Sequence, residues 1–479
     1  IARAGTGAGA ARRVGMDTAC RRLLDRDRPL GLIACTDADS CPAPDWLERQ
    51  LAHVMAGAHA IAGLIELDEH EAAELAPGVR ERRERDASAR LGRLRRAEPD
   101  AAHHHFAGAS LGVTADTYRA VGGIEPLAAL EDAGFAVRLA EHGVSILRAS
   151  DVRVRTSARA AGRVTRGLSV DLAVSDWYER RRYHAHAFPL ERLRLAKGGA
   201  TVTVIIPAKE CADTIGDVLR HSVAPLAHAG LIDETVVVDA RSRDDTANRA
   251  RAAGARVIQQ DEIRGELGPA LGKGDAMWRA LQATGGDIVC FLDGDTADPN
   301  LGHLAGLLGP LLCDARVQLV KGAFERPLRA GGVSLPHEGG RVTELMARPL
   351  LNLHEPLLAG FSQPLAGECA GRRDLLEAVS FPVGYGVEIA VLIDALRLAG
   401  IDALAECHLG TRQNRHQPLR ALGEMAYAVL AAVERRLPGR VTHPAGHYLR
   451  PWQDGTVASV PVAERPPIRV GAQVAAPAR

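Results

Sequence analysis

The chain carries no excess of either charge. Its 479 residues include 59 basic and 59 acidic side chains, a formal net charge of zero. That removes the global electrostatic case for a nucleic-acid partner. It also lacks any Cys-x-x-Cys pair, since its eight cysteines are scattered at 20, 35, 41, 211, 290, 313, 369 and 407. In a chain of this length the scatter predicts reduced thiols in a cytoplasmic protein and no disulfide framework. No uninterrupted apolar run approaches about 18 residues, so no membrane span is predicted. The longest run, around Leu304–Cys313, is interrupted by glycine and proline. The first residue is Ile and no basic-then-apolar leader follows, which predicts a chain that starts inside a larger reading frame.

What is present is rhythm. From about 201, β-branched apolar runs alternate with helical spacing: "TVTVIIPA", "ETVVVDA", "ARVIQQ" and "DIVCFLDGD" read as strands. Between them, "DTIGDVLRHSVAPL", "RSRDDTANRARAAG" and "GKGDAMWRALQATGG" read as helices, the second with a Ser242-x-x-Asp245 capping pattern. This alternation predicts an α/β domain, a mostly parallel sheet with helices on both faces.

The N-terminal third repeats the second half of that rhythm. "RRVGMDTACRRLLDRD" resembles "GKGDAMWRALQATGGD", and "GLIACTDADSCPAPDWL" resembles "DIVCFLDGDTADPNLG". "FAGASLGVTADTYRAVGGIEP" and "LEDAGFAVRLAEHGVSIL" also have later counterparts, "PLAGECAGRRDLLEAVSFPVGY" and "GVEIAVLIDALRLAGIDAL". A divergent internal repeat follows. Only about 36 residues precede the first Asp-x-Asp, so the first copy lacks its opening strands. The predicted organisation is a partial module over 1–160, a helical connector over 161–200, a complete domain over 201–434, and a Pro/Ala-rich tail over 435–479, extended or disordered.

An apolar strand ending in Asp-x-Asp places two carboxylates at the carboxyl edge of a parallel sheet, where open α/β sheets bind ligands. Strand periodicity lets Asp293 and Asp295 converge. Such hard oxygens suit Mg²⁺ or Mn²⁺ completed by phosphate oxygens, and a cation there stabilises a departing diphosphate.

The order of "VTVIIPAKECADTI", "VVVDARSRDDT", "GKGDAMWRAL", "DIVCFLDGDTADP", "VQLVKGAFERPL", "GGRVTELMARPLL", "GYGVEIAVLIDAL" and "LGTRQNRHQPL" resembles that of the glucosyl-3-phosphoglycerate synthases, over about residues 201–432. These are retaining glycosyltransferases of the GT-A fold. The resemblance implies transfer of glucose from a nucleoside-diphosphate-glucose, UDP-glucose foremost, to the 2-hydroxyl of 3-phosphoglycerate. It further implies donor contacts from Pro207, Ala208, Glu210, Asp239, Lys273, Asp293 and Glu388, a metal on Asp295, and a diphosphate-stabilising Arg412. Asp295, Glu388 and Arg412 are the catalytic candidates. The flanking glycines of Lys273 argue for close approach of a ligand there.

The acceptor is a small polyanion. "GGRVTELM" offers two glycines, an arginine and a threonine at a helix start, an anion cradle of Gly340, Arg341 and Thr343, with Tyr385 nearby. Two departures stand out. The family's first-loop glutamate falls on Cys211 unless the loop slips by one and Glu210 serves. Its late metal-binding histidine falls on Asn414, with His416 two residues on, so either residue could complete the metal site.

The first copy resembles inverting family-2 transferases, with Asp37 and Asp39 as metal carboxylates and Glu131-Asp132 as the acidic pair that would supply a general base. Without the nucleotide-binding strands, no turnover by residues 1–160 alone is predicted. "HHH" at 103–105 reads as a loop leading into the acceptor-side strand. Two competing functions stay open: a GT-A transferase with a different small or lipid-phosphate acceptor, and a non-catalytic sugar-nucleotide-binding module, above all over residues 1–160. Pairing into a homodimer is also left open.

Overall fold

The computed structural model describes residues 7–127, 129–160, 166–330, 333–335, 339–412, 417–439, 446–450, 452 and 456–469. The chain divides into two compact units, residues 1–180 and 181–479.

In the second unit the strands are β6 (Arg182–His184), β7 (Val202–Ala208), β8 (Glu234–Asp239), β9 (Arg256–Gln259), β10 (Ile288–Phe291), β11 (Leu319–Glu325), β12 (Leu328–Ala330), β13 (Val333–Leu335), β14 (Cys369–Arg372), β15 (Phe381–Pro382), β16 (Leu404–Thr411), β17 (Gly446–Arg450), β18 (Thr456–Val460) and β19 (Glu464–Arg465). Eight of them form one sheet in the order β6-β16-β11-β14-β10-β7-β8-β9. All pairings in it are parallel except those of β14, which runs antiparallel to both β10 and β11. The β-branched runs fill the middle because both faces are covered: Val204, Ile206, Cys290 and Leu292 share one core with Leu304, Leu307, Leu308 and Leu311 of the Leu301–Cys313 helix. The longest apolar run of the sequence is therefore a buried core helix. Among the described residues no helix is long and apolar enough to cross a membrane.

The first unit has β1 (Leu32–Cys35), β2 (Ser40–Pro42), β3 (Ala60–Leu67), β4 (Leu111–Thr114) and β5 (Ile146–Thr156), in the order β1-β4-β3-β5-β2. β4 is antiparallel to β1 and β3, and β3 is parallel to β5. This is the order and sense of β10-β14-β11-β16. Among the described residues nothing corresponds to β7, β8 and β9, and β1 is the outer strand. Residues 103–107 are irregular and lead into β4, as the triple histidine suggested.

Three expectations are sharpened. The 161–200 segment is helical over Leu168–Arg180 and Leu190–Lys197, and it is divided between the two units. Its Leu168–Arg180 helix belongs to the first unit, while β6 extends the second sheet and Arg181 is buried in an ion pair with Asp314 at 2.7 Å. The tail is ordered over 446–450 and 456–469: β17 and β18 form a hairpin, and β19 pairs antiparallel with β15. Short strands held by backbone pairing and arginine contacts leave no periodic signature in the sequence. Finally, Ser242 does not cap the Thr246–Ala252 helix. Its hydroxyl donates to Asp239 at 2.6 Å, and the Thr246 N–H is taken by Asp244 at 3.1 Å.

Candidate active site

β10 runs out at Phe291, so Asp293 and Asp295 stand just beyond the carboxyl edge of the sheet. Their environments differ sharply. The Asp293 side chain is largely buried, whereas that of Asp295 is 63% exposed. Lys273, at the first position of the Lys273–Ala283 helix, places Nζ 2.6 Å from Asp293 Oδ1 and 3.1 Å from Glu388 Oε1. Glu388 opens the Val387–Ala399 helix, so one ammonium ties two helix starts to the sheet edge. Arg412, fully buried just past β16, sets Nη2 3.2 Å from Asp293 Oδ2 and 3.5 Å from Asp295 Oδ1. Its Nη1 is ion-paired with the buried Glu368, and its guanidinium lies 5.4 Å over the Phe324 ring.

The electrostatics follow from this geometry. Burial alone would raise the Asp293 carboxyl, but Lys273 and Arg412 outweigh it and hold it well below the ordinary carboxylate range. Burial likewise opposes the Lys273 charge, and Asp293 with Glu388 overcomes it, so the ammonium is held above its usual range. Asp295 goes the other way: its solvent-accessible carboxyl is raised by partial desolvation among the surrounding groups and by the neighbouring Asp293 charge. An exposed carboxylate destabilised by a like charge is a place where an added cation is welcome. Mg²⁺ or Mn²⁺ therefore fits at Asp295. Asn414 and His416, the two candidates for a further ligand, lie outside the described residues. Among the described residues no group of three or more His, Cys, Asp and Glu is placed to hold a metal.

The glycines beside Lys273 face backbone. A Cβ at Gly274 would lie 1.8 Å from Pro382 O, and one at Gly272 2.6 Å from Val383 O. Both flanks of Lys273 are thus small enough to admit the 382–383 backbone, which brings the Glu388 helix against the Lys273 helix. Gly367 does press on the charged groups: a Cβ there would fall 2.4 Å from Lys273 Nζ and 2.5 Å from Asp293 Oδ1.

On the other side of the edge, Pro207 and Ala208 end β7, with Ala208 O accepting from Ala240 N. Asp239 is 1% exposed and its carboxylate accepts from Ser242 N–H, Ser242 Oγ and Gln259 Nε2. It anchors the loop that follows β8. Ser242 Oγ also accepts from Glu210 N–H at 2.9 Å, and Glu210 Oε1 accepts from Arg243 N–H at 3.0 Å. Glu210 sits at φ 51° with an exposed side chain, while Cys211 is buried and its thiol is pushed up to about 11 by burial. Glu210 therefore lies at the exposed rim and Cys211 in the core.

Of the residues expected to cradle the acceptor, Gly340 has φ 70°, Thr343 is buried, Arg341 Nη2 donates to Gln417 O at 2.6 Å, and Tyr385 is exposed. A Cβ at Gly339 would lie 2.0 Å from Arg326 O, which seats the cradle against the end of β11. Arg326 was not singled out by the sequence. Burial and Arg412 lower its guanidinium, Asp293 and Glu388 act the other way, and its Nε is buried with no hydrogen-bond partner among the described residues. Glu368 was missed as well. A buried charge next to the Asp-x-Asp edge is the signal that could have found both, but it is tertiary.

The first unit repeats this frame. Arg12 is ion-paired with both Asp37 and Glu131, and Asp132 accepts from Gly108 N–H at 3.1 Å. A Cβ at Gly108 would fall on the Arg12 guanidinium. Asp39 is 3.7 Å from Arg159.

Residues 203–325 match the glycosyl transferase family 2 domain. The chain is 42% identical over 296 residues to a glucosyl-3-phosphoglycerate synthase of Mycolicibacterium smegmatis, covering 61% of this chain and 97% of that protein. It is 44% identical over 257 residues to that of Mycobacterium tuberculosis, covering 53% of this chain and 79% of that one. Among solved structures, mannosyl-3-phosphoglycerate synthase from Rubrobacter xylanophilus is similar with a TM-score of 0.55 and 41% identity, over 61% of this chain and 98% of that one. Glucosyl-3-phosphoglycerate synthase from Mycobacterium tuberculosis in complex with Mn²⁺, UDP and phosphoglyceric acid is similar with a TM-score of 0.53 and 40% identity, over 59% of this chain and 94% of that one. With this site on a mostly parallel GT-A sheet, and with nearly the whole of such a relative covered, the chain belongs to the glucosyl-3-phosphoglycerate synthase family.

Proposed function

We propose that the second unit transfers glucose from UDP-glucose to the 2-hydroxyl of 3-phosphoglycerate, giving glucosyl-3-phosphoglycerate. The observation that carries the reading is the cluster of Lys273, Asp293, Glu388 and Arg412 at the sheet edge, in a chain that covers 97% of a relative bearing that name. Related structures with Mn²⁺, UDP-glucose and phosphoglyceric acid support the donor, the acceptor and the metal class.

In this reading Asp295, with Asn414 or His416, holds Mg²⁺ or Mn²⁺, which neutralises the diphosphate when bound. Arg412 adds fixed positive charge to the leaving side. Asp293 and Glu388, locked by Lys273, grip the sugar hydroxyls. Gly340, Arg341 and Thr343 hold the acceptor phosphate and carboxylate, with Tyr385 as a further contact and Arg326 as a further cation near Asp293 and Glu388. No carboxylate is assigned as a nucleophile. The acceptor hydroxyl attacks on the face that the diphosphate leaves, so the reaction retains configuration through positioning and leaving-group stabilisation. Trapping of a glycosylated side chain in single turnover would overturn that route.

The direct test incubates the protein with Mn²⁺, a sugar nucleotide and 3-phosphoglycerate and measures nucleoside diphosphate release. Release with UDP-glucose only when 3-phosphoglycerate is present supports the proposal. Acceptor-independent binding without release overturns it. The similarity to a mannosyl-3-phosphoglycerate synthase makes GDP-mannose the second donor to assay. The reading includes a cytoplasmic location, which the eight free cysteines support.

For the first unit the reading is a partial family-2 module. The matching strand order and the Arg12–Asp37–Glu131 frame support it. Release of nucleoside diphosphate from a sugar nucleotide by residues 1–180 would show a working centre instead.

A further inference from the structure

Arg412 stands at a point of conflict. Its guanidinium lies within ion-pair range of both carboxylates of the Asp-Gly-Asp, at 3.2 Å from Asp293 and 3.5 Å from Asp295. Asp295 is the carboxylate with room to bind a cation. An arginine collapsed onto it would take the oxygens that a divalent ion needs. Something must hold Arg412 back.

The contact that does so is Glu368. Its side chain is 3% exposed, it is ion-paired with Arg412 Nη1, and it is the residue immediately before β14. Its backbone is fixed independently of that pair: Gly322 N–H donates to Glu368 O at 2.9 Å, and Lys321 Nζ donates to Ala366 O two residues earlier. Gly367, between them, lies where an added Cβ would fall 2.4 Å from Lys273 Nζ. Glu368 is therefore a buried counter-charge on Nη1, while Asp293 and Asp295 lie at Nη2. The first unit gives an internal comparison. By strand register Ser110 occupies the corresponding place: its carbonyl accepts from Gly63 N–H as Glu368 O does from Gly322, and it precedes Leu111, which pairs with Cys35 as Cys369 pairs with Phe291. Ser110 Oγ accepts from Trp46 Nε1, and among the described residues no arginine is ion-paired or hydrogen-bonded to it.

We propose that Glu368 is a positioning residue that tethers Arg412 and so keeps Asp295 open to the divalent cation. The proposal rests on the metal-dependent transfer described above. Without the carboxylate, the second half of the guanidinium is free to swing onto Asp295, and the arginine becomes a competitor of the metal.

The test is Mn²⁺ binding to the full chain without substrates, followed by the electron paramagnetic resonance signal of free Mn²⁺. Glu368→Gln keeps the size of the side chain and removes its charge, and Mn²⁺ affinity should fall about 10- to 100-fold. Arg412→Ala should bind Mn²⁺ at least as tightly as the wild type. The double variant Glu368→Gln/Arg412→Ala should return to within about twofold of Arg412→Ala. A merely structural role for Glu368 would not be rescued by removing its partner. The proposal is overturned if folded Glu368→Gln binds Mn²⁺ like the wild type, or if the double variant stays weak. Should Glu368→Gln fail to fold, Arg412→Ala alone decides: unchanged or tighter binding supports the tether, and weaker binding overturns it. If the wild type itself binds no Mn²⁺, with or without UDP, the metal-dependent reading falls, and this proposal with it.

Discussion

Lys273 Nζ sits 2.6 Å from Asp293 Oδ1, and the same ammonium reaches Glu388 Oε1 at 3.1 Å. One cation joins the end of a strand to the starts of two helices. Replacing it with methionine leaves Asp293 to Arg412 alone and strips Glu388 of this partner, a loss of about 3–5 kcal/mol. Lys273→Met should lower kcat/KM about 100-fold or more. Lys273→Arg should not rescue it, because Gly367 leaves no room beside Nζ for a guanidinium. Steady-state kinetics with varied UDP-glucose checks both.

Gly367→Ala tests the same crowding from the other side. The added methyl would lie 2.4 Å from Lys273 Nζ. Overpacking of this kind costs about 1–3 kcal/mol. The expected result is a raised KM for the sugar nucleotide and a lowered kcat, with a thermal midpoint that falls by only a few degrees.

Asp295 predicts a separation of function from stability. With its side chain 63% exposed, Asp295→Ala should leave the thermal midpoint unchanged while abolishing turnover and Mn²⁺ binding. Arg341→Ala should instead raise KM for 3-phosphoglycerate and spare Mn²⁺ binding.

The C-terminal segment makes its own prediction. Arg465 reaches the fully buried Asp275 at 2.7 and 3.0 Å, and Asp275 in turn accepts from Leu271 N–H at the start of the Lys273 helix. Pro466 O accepts from Trp278 Nε1, and Ala463 O from Val383 N–H. Arg465→Ala should destabilise the second unit by about 1–3 kcal/mol. It should also shift the fluorescence of Trp278 and weaken donor binding more than acceptor binding, as read by calorimetry with each substrate.

His303 sets an acid limit. Burial, with Arg412 nearby, pushes its imidazole down to about 4. The unfolded chain takes up that proton near pH 6.5 and the folded chain resists it to about 4. Stability is therefore fully present above about pH 6.5 and is lost as pH falls toward 4. His303→Asn should flatten that part of the curve. His105 in the first unit, pushed down to about 3 mainly by burial, adds a slope of the same sign, so the variant and wild type must be compared directly. The Lys273–Asp293 pair itself should be insensitive between about pH 4 and 10, since Asp293 is depressed and Lys273 raised from ordinary values.

Much of this was legible in the chain. The strands from 202 to 291 announced themselves because a parallel sheet covered on both faces demands continuous β-branched runs. Lys273, Asp293 and Glu388 were named from motifs, and the structure brings them within hydrogen-bond reach. Arg326, Glu368 and Lys321 were not named. Each is a charge buried by packing that is remote in sequence, and nothing local distinguishes it from a surface residue. The glycines beside Lys273 were identified, but not the 382–383 backbone they admit, because a sequence shows that a Cβ is missing without showing which backbone takes its place.

The sequence by itself determined the alternation of strands and helices, the repeat, and the two carboxylates at a strand end, because hydrophobic period and turn chemistry act over a few residues. Only the tertiary structure decided that Arg412 bridges Glu368 to the Asp-Gly-Asp, that the C-terminal segment straps the Lys273 helix, and that the first unit ends at Arg180. Those outcomes depend on desolvated charges finding partners dozens to nearly two hundred residues away, and on backbone pairings that no periodicity encodes.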